Sequence, residues 1–338
     1  MRAREGDFIE SIEGLIFDVK GSVHPPNKII AFIRYFPDEK GPRKKQETNY
    51  SKVYSLSKRF HLLSKKFPEC IVYDQVFDAK LCEVPIHKVK HHYKPCEKLE
   101  ELRGNLKHLD EPEQKALELA DILKISANIP SKEVGVSGSI MVGLHYKKSD
   151  LDLIVYGVKN CRKVYSILES LLGEKQGLFK PYTRRGLKAL FDFRSKDTIM
   201  SYEDFVRTES RKVLQGKFMG TDYFIRFVKN RNEVNEEYGD VHYKNCGYAR
   251  VKATVMEDSE SIFTPCVYKI SDVGFLEGPQ IKPITEIASF RGRFCDQARK
   301  GEVVIAQGKV ECVIDNKRNH EYFRLLLGNK QSDYMTLA

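Results

Sequence analysis

The chain has 338 residues, 41% of them hydrophobic and 31% charged, the balance of a globular protein long enough for more than one core. Lys and Arg number 57 against 47 Asp and Glu, and the surplus of +10 suits a polyanionic partner such as RNA or DNA. No apolar run of about 18 residues occurs, which excludes an ordinary membrane-spanning helix. The charged start "MRAREGDFIESIEGL" lacks the apolar stretch of a secretion signal, so a cytoplasmic protein without a membrane partner is expected.

In chain order, "EGLIFDVKGSVHPPNKIIAFIRYFP" reads as two strands around a loop marked by Gly21, Pro25 and Pro26. "SKVYSLSKRFHLLSKKF" has the period of an amphipathic helix, ended by Pro68, and "CIVYDQVF" follows as a strand. The basic stretch 86–100 reads as a linker. Its His87, His91 and His92, between Cys82 and Cys96, match no standard zinc spacing and are expected to be surface histidines. The eight cysteines stand singly with no C-x-x-C pair, so most should be reduced and buried. "EPEQKALELADILKISA" is a helix with Pro112 and acids in its first turn.

A strand ending near Ser137, a short helix from Ser139, a strand over 151–156 and the amphipathic helix "CRKVYSILESLLG" come next. "SYEDFVRTESRKVLQ" reads as a helix capped by Ser201, and "DYFIRFV" as a strand. From about residue 232, short β-type runs such as "YARVKATVMED" and "VVIAQGKVECVI" point to a small antiparallel barrel or sandwich. The expected class is α/β in the α+β sense. It has a mixed segment over 1–95, a central domain over 96–231 and a β-rich domain over 232–338.

The central segment carries the chemistry. In "GVSGSIMVGLHYKKSDLDLIVYG" a strand turns at Gly138-Ser139 into a helix, which aims free backbone N–H groups at an anion such as phosphate. Asp150 and Asp152 project from one side of the following strand, while Leu151, Leu153 and Val155 face the other way. Two carboxylates so close resist joint ionisation unless a cation lies between them. Oxygen donors of this kind suit Mg²⁺, with Mn²⁺ as a substitute, the ion in turn holding substrate phosphate.

Gly138-Ser139, ten residues, then Asp150-Leu151-Asp152 on an apolar strand resembles the signature of the DNA polymerase β-like nucleotidyltransferase superfamily. The resemblance covers residues 135–157, and the element order from about 113 to 228 is compatible with it. It implies a nucleotidyltransferase domain that moves a nucleoside monophosphate from an NTP to an acceptor hydroxyl. Gly138 and Ser139 would touch the triphosphate, and Asp150 and Asp152 would be metal ligands. Many members add a third carboxylate on a later strand. Here that strand, "TDYFIRFVK", has Arg226 in its central slot, leaving Asp222 at its start or Asp192 in "ALFDFRS".

Further basic candidates for the nucleotide or its acceptor are Arg184 and Arg185 in "PYTRRGLK", and Arg211, Lys212 and Lys217 in "ESRKVLQGKFMGTDYF". Arg291, Arg293 and Phe294 in "SFRGRFCDQARKGE" interleave cations with an aromatic ring, as single-strand binders do. His145, between the halves of the motif, is expected to be a satisfied loop histidine. No P-loop and no dinucleotide fingerprint occurs. The expected acceptor is RNA, with tRNA the comparison offered by CCA-adding members. The alternatives are adenylylation of a protein or small molecule, and a non-catalytic nucleotide- or RNA-binding protein on the same fold.

Overall fold

The computed structural model describes residues 1–196, 199–280 and 283–338. The chain packs as two compact units, one formed by Met1–Ile71, Cys82–Pro181 and Val213–Asn235, the other by Val72–Leu81, Tyr182–Lys212 and Glu236–Ala338. This interleaving differs from consecutive segments 1–95, 96–231 and 232–338, because the N-terminal strands share a unit with the central sheet.

The first unit opens with β1 (Phe8–Ser11), β2 (Ile16–Val19), β3 (Lys28–Pro37), β4 (Arg43–Lys45), β5 (Thr48–Lys52) and the helix α1 (Leu56–Lys66). Along the chain then come β6 (Ile71–Asp74), which belongs to the second unit from Val72 on, β7 (Ala79–Pro85), which belongs to the first from Cys82 on, and β8 (Val89–Tyr93) in the first. The main path of the sheet is β4-β5-β3-β2-β1-β8. Alternation gives it two apolar faces. Ile9, Phe17, Val19, Ile29 and Ile33 form one core with Leu63 of α1. Phe8, Ile16, Tyr35 and Tyr50 form another with Met141, Val142 and Leu144. Lys45 on β4 hydrogen-bonds Glu10 on β1 and Tyr93 on β8, so the sheet curls until its two edges meet through side chains. The stretch 86–100 is therefore not a linker. It supplies the edge strand β8, whose polar residues lie beside β1.

The same unit continues with α2 (Pro95–Gly104), α3 (Glu111–Ser126), β9 (Val134–Val136), the single turn α4 (Gly138–Met141), β10 (Leu151–Tyr156) and α5 (Val158–Gly173). It ends with β11 (Phe179–Lys180), β12 (Gln215–Phe218) and β13 (Thr221–Val228). These strands form a second sheet in the order β11-β12-β13-β10-β9, in which β10 and β13 run parallel. Leu151, Leu153 and Val155 are buried, and α3 and α5 pack against β10. Asp152, Ile154 and Tyr156 point from the opposite face. Gly6 lies so close to it that a Cβ there would meet Ile154 Cδ1 at 2.0 Å.

The second unit also holds α6 (Arg184–Arg194), α7 (Tyr202–Glu209) and a sheet of six strands: β14 (Val241–Glu257), β15 (Cys266–Glu277), β16 (Ile284–Ser289), β17 (Val303–Asp315), β18 (His320–Leu327) and β19 (Tyr334–Leu337). The path β14-β15-β16-β18-β17 closes because β17 pairs back onto β14. The result is a barrel, antiparallel except for the β16–β18 pair. Among the described residues no helix is long and apolar enough to cross a membrane.

Candidate active site

The motif's local geometry follows from its glycine. Ser137 N–H donates to the Asp152 carbonyl at 2.8 Å, tying the end of β9 to β10, and its hydroxyl donates to the Gly6 carbonyl at 2.9 Å. Gly138 has φ +62°, a left-handed conformation that L side chains avoid. A Cβ on it would lie 2.0 Å from Asp152 Oδ2, so the backbone of the turn rests directly against that carboxylate. Ser139 is buried, and among the described residues its Oγ has no hydrogen-bond partner. The loop leading to Asp150 is fixed by the N-terminal sheet, where the Arg43 guanidinium donates to the Leu144 carbonyl and lies 4.6 Å from the Tyr146 ring centre.

This contact makes a prediction. Gly138→Ala should lower stability by about 2 kcal/mol from left-handed strain and collision together. Gly143→Ala supplies the control, since Gly143 has φ +68° but nothing within 4 Å of a Cβ. Thermal melts of both variants separate the terms, and equal losses would mean that the approach to Asp152 is immaterial.

Around the turn, Asp18 of β2, Arg34 of β3, Ser137, Gly138, Asp152 and Arg226 of β13 line one cleft. Burial, and then the charge of Asp150, push the Asp152 carboxyl up to about 7, although Lys52, Arg34 and Arg226 partly offset the rise. Burial, and then Arg34 and Arg43, bring Lys52 down to about 8 against the pull of Asp150 and Asp152. Burial alone would raise Asp18, but Lys20, Arg226 and Arg34 hold it well below the usual carboxylate range. Arg226 Nη1 lies 2.6 Å from Glu5 Oε1 and 3.7 Å from Asp18 Oδ1. Lys20 Nζ bridges the same two acids at 3.2 and 2.9 Å. The arginine in the slot where an acid was sought thus anchors acids that arrive from the N-terminal segment.

The other sequence candidates do not line this cleft. Asp222 starts β13 and pairs across the hairpin with Lys217 at 3.0 Å, both at the surface. Asp192 lies on α6, bonded to Lys188, in the second unit. Arg184 and Arg185 are exposed in the first turn of that helix. Arg211 forms a two-pronged pair with Glu302. Lys212 is buried against Glu209 and the Arg293 carbonyl. Both are thus committed within the second unit. Phe294 is only 2% exposed, which leaves no ring face for a base to stack on; its neighbours needed a core residue.

His145 pairs with Asp110 at 2.8 Å. With Glu113 they form the one group among the described residues whose three ligand atoms lie within 4.8 Å of one another. Asp110 and Glu113 already form the capping box of α3, which accounts for the cluster. His92 pairs with Asp7, and six of the eight free cysteines are buried.

Sequence reasoning missed Asp18, Arg34 and Lys52. A usable signal was present for the first. In "LIFDVKG" an acid sits inside an apolar strand, and such an acid is buried only if something ionic meets it.

No protein-family model matches the chain, and no solved structure matches it either. It is 33% identical over 342 aligned positions to the uncharacterized protein MJ1086 of Methanocaldococcus jannaschii, covering 99% of this chain and 98% of that one. The likeness spans both units, so the chain belongs to the family of that archaeal protein.

Proposed function

We propose that the protein is a Mg²⁺-dependent nucleotidyltransferase acting on an acceptor hydroxyl, with RNA as the acceptor. The observation that carries this reading is the contact of the Gly138 turn with the Asp152 carboxylate. It joins a phosphate-type backbone turn to an acid that burial and Asp150 keep from ionising freely. Asp150 and Asp152 would hold the ion, since an under-compensated pair of carboxylates beside a buried, unpartnered Ser139 hydroxyl is a donor set for a hydrated divalent cation and its phosphate. Mn²⁺ takes the same donors. The ion would neutralise charge on the transferring phosphate.

In the reaction, the acceptor oxygen forms a bond to the α-phosphorus. The bond from that phosphorus to the β-phosphate oxygen breaks, pyrophosphate leaves with the electron pair, and the hydroxyl proton passes to solvent. Asp18, held ionised by its cations, is a poor proton acceptor but a permanently charged oxygen donor at the same cleft. Gly138 and the loop pinned by Arg43 keep Asp150 and Asp152 in place.

Support for RNA comes from where the charge lies. The first unit carries 34 Lys and Arg against 25 Asp and Glu, whereas the second carries 23 against 22. RNA should therefore bind the first unit, with an affinity that drops about tenfold or more between 50 and 200 mM salt. A flat salt response, measured by filter binding, would point to an uncharged or protein acceptor. The reaction is tested with α-labelled ATP, Mg²⁺ and separate RNA and protein pools. Label in RNA with release of pyrophosphate supports the reading, and label in protein makes the protein an adenylylating enzyme. Nucleotide binding without pyrophosphate release in any pool makes it a binding protein, the outcome that Arg226 in the acid's slot would favour.

A further inference from the structure

The second unit brings two cysteines onto one face of a strand. Cys266 begins β15 and pairs with Ser289, the last residue of β16. From Ser289 the chain passes through the short helical turn Gly292–Phe294 and comes back over β15. Tyr268 marks where it lands. Its hydroxyl donates to the Phe294 carbonyl at 2.6 Å and accepts from Gln297 N–H at 2.9 Å, one contact on each side of Cys295. Cys266 lies two residues before Tyr268 on the same strand, so its side chain leaves from the same face. On the other side of Cys266, Cys295 Sγ donates to the Phe263 carbonyl at 3.1 Å and lies 3.7 Å from Thr264 Oγ1. Contacts that flank Cys266 on both sides thus hold the Cys295 sulfur over it.

Both thiols are buried, 1% and 2% exposed, which is ordinarily the mark of inert cysteines. Cys295 differs in what surrounds its sulfur. Its one proton goes to the Phe263 carbonyl, so the Thr264 hydroxyl is the donor in their contact. Lys212, itself buried, donates to the Arg293 carbonyl at 2.6 Å and sets a cation close by. The hydrogen bond from Cys266 brings the Cys295 thiol below its ordinary value against the effect of burial, with Thr264 and Lys212 adding to it. Burial, and then its bond to Cys295, keep Cys266 well above that value. One sulfur is therefore fit to attack, and the other stays protonated until its neighbour is oxidised.

We infer that Cys295 and Cys266 form an oxidation site, at which hydrogen peroxide converts the two thiols into a disulfide. Burial keeps out disulfides the size of glutathione, whereas a narrow cleft lined by Arg293, Phe294 and Gln297 runs past Cys295 for a small oxidant. The Cys295 sulfur attacks one peroxide oxygen, the O–O bond breaks, and the departing hydroxide takes the thiol proton to become water. Cys266 then attacks the sulfenic sulfur of Cys295. The S–S bond forms, the S–O bond breaks, and the second hydroxide leaves as water with the Cys266 proton. One peroxide is reduced to two waters as two thiols are oxidised. The disulfide ties the start of β15 to the turn after β16 and stiffens the barrel. The site lies wholly within the second unit and does not depend on the transferase reading.

The test treats the full chain with a slight excess of hydrogen peroxide, alkylates the remaining thiols in denaturant and maps peptides without reduction. Wild-type protein should give one linked pair, Cys266 with Cys295, while the other cysteines stay alkylated. Its Tm should rise by about 5 °C or more and return on adding dithiothreitol. Cys266→Ser should stop at a sulfenic acid on Cys295, labelled by dimedone, and Cys295→Ser should take up no dimedone at Cys266. Cys96→Ser, at a half-buried thiol of the first unit, should oxidise as wild type does. The peptide map needs no variant, so a serine protein that fails to fold leaves the site open to refutation. No link between Cys266 and Cys295 in folded wild type, or links spread equally over other cysteines, would overturn the site. Dimedone on Cys266 in folded Cys295→Ser, with none on Cys295 in folded Cys266→Ser, would overturn the assignment of the attacking sulfur.

Discussion

Asp152→Asn should do two opposite things: abolish transfer by about a thousandfold or more, and make the metal-free protein more stable in alkali. On the transferase proposal, the loss of transfer follows from removing one of the two carboxylates that would hold the ion, the one that lies against the Gly138 turn. The gain in stability follows from the sign of its shift. The carboxyl is raised to about 7 in the folded chain, first by burial and then by Asp150, against about 4 when unfolded. Between those values the folded state holds the extra proton, so stability falls as pH rises through that window and stays low above it. Asparagine keeps the shape and removes the charge, which should return about 3 kcal/mol at pH 8 without metal and almost nothing at pH 4. Urea melts in chelator at the two pH values measure the difference. Adding Mg²⁺ should stabilise wild type and leave the variant unmoved, because only the former gains from ligand linkage. A variant no more stable than wild type at pH 8 would mean that Asp152 is already balanced by the cations around it, leaving no case for a metal.

The readable part of the site was the part that is contiguous in sequence. Gly138 and Asp152 are 14 residues apart, the first in the turn that leaves β9 and the second on β10, the antiparallel neighbour of β9, and strand alternation fixes which way Asp152 faces. Their placement with Asp18, Arg34 and Lys52 was invisible for a physical reason: those residues ride on another sheet, 86 residues or more upstream of the turn, and only tertiary packing brings that sheet over it. The β-rich character of residues 232–338 was legible from their short, punctuated runs. The parallel β16–β18 pair was not, since nothing in local pattern distinguishes a neighbour in sequence from a neighbour in the sheet. The errors were errors of context. Phe294 between arginines looks like a stacking platform until burial is known, and the histidines near 90 look like a loop until β8 is seen to pair with β1. Arg226 read as the loss of an acid, although its partners Glu5 and Asp18 restore negative charge from the other end of the chain.

That last arrangement gives the second large effect. Arg226→Ala should destabilise the protein by about 3 kcal/mol at pH 7, because it leaves two buried carboxylates with one cation between them. Glu5 is 1% exposed and Asp18 4%, so water cannot take over the role of the guanidinium. Lys20, which bridges the same two acids, keeps the loss below that of a wholly unpaired charge. The pH dependence has a definite sign. Asp18 is held below its unfolded pKa, so its contribution is fully present above about pH 4 and fades as pH falls further. The gap between wild type and Arg226→Ala should therefore narrow from pH 7 to pH 3, the reverse of what Asp152→Asn shows. Arg226→Lys should recover part of the loss, since an ammonium restores the charge but not the planar fork. If Arg226→Ala melts within about 0.5 kcal/mol of wild type, the ionic tie between β13 and the N-terminal segment is not what holds Asp18 in the cleft. Packing of Gly6 on Ile154 and of Phe8 on the motif helix would then have to hold it by shape alone.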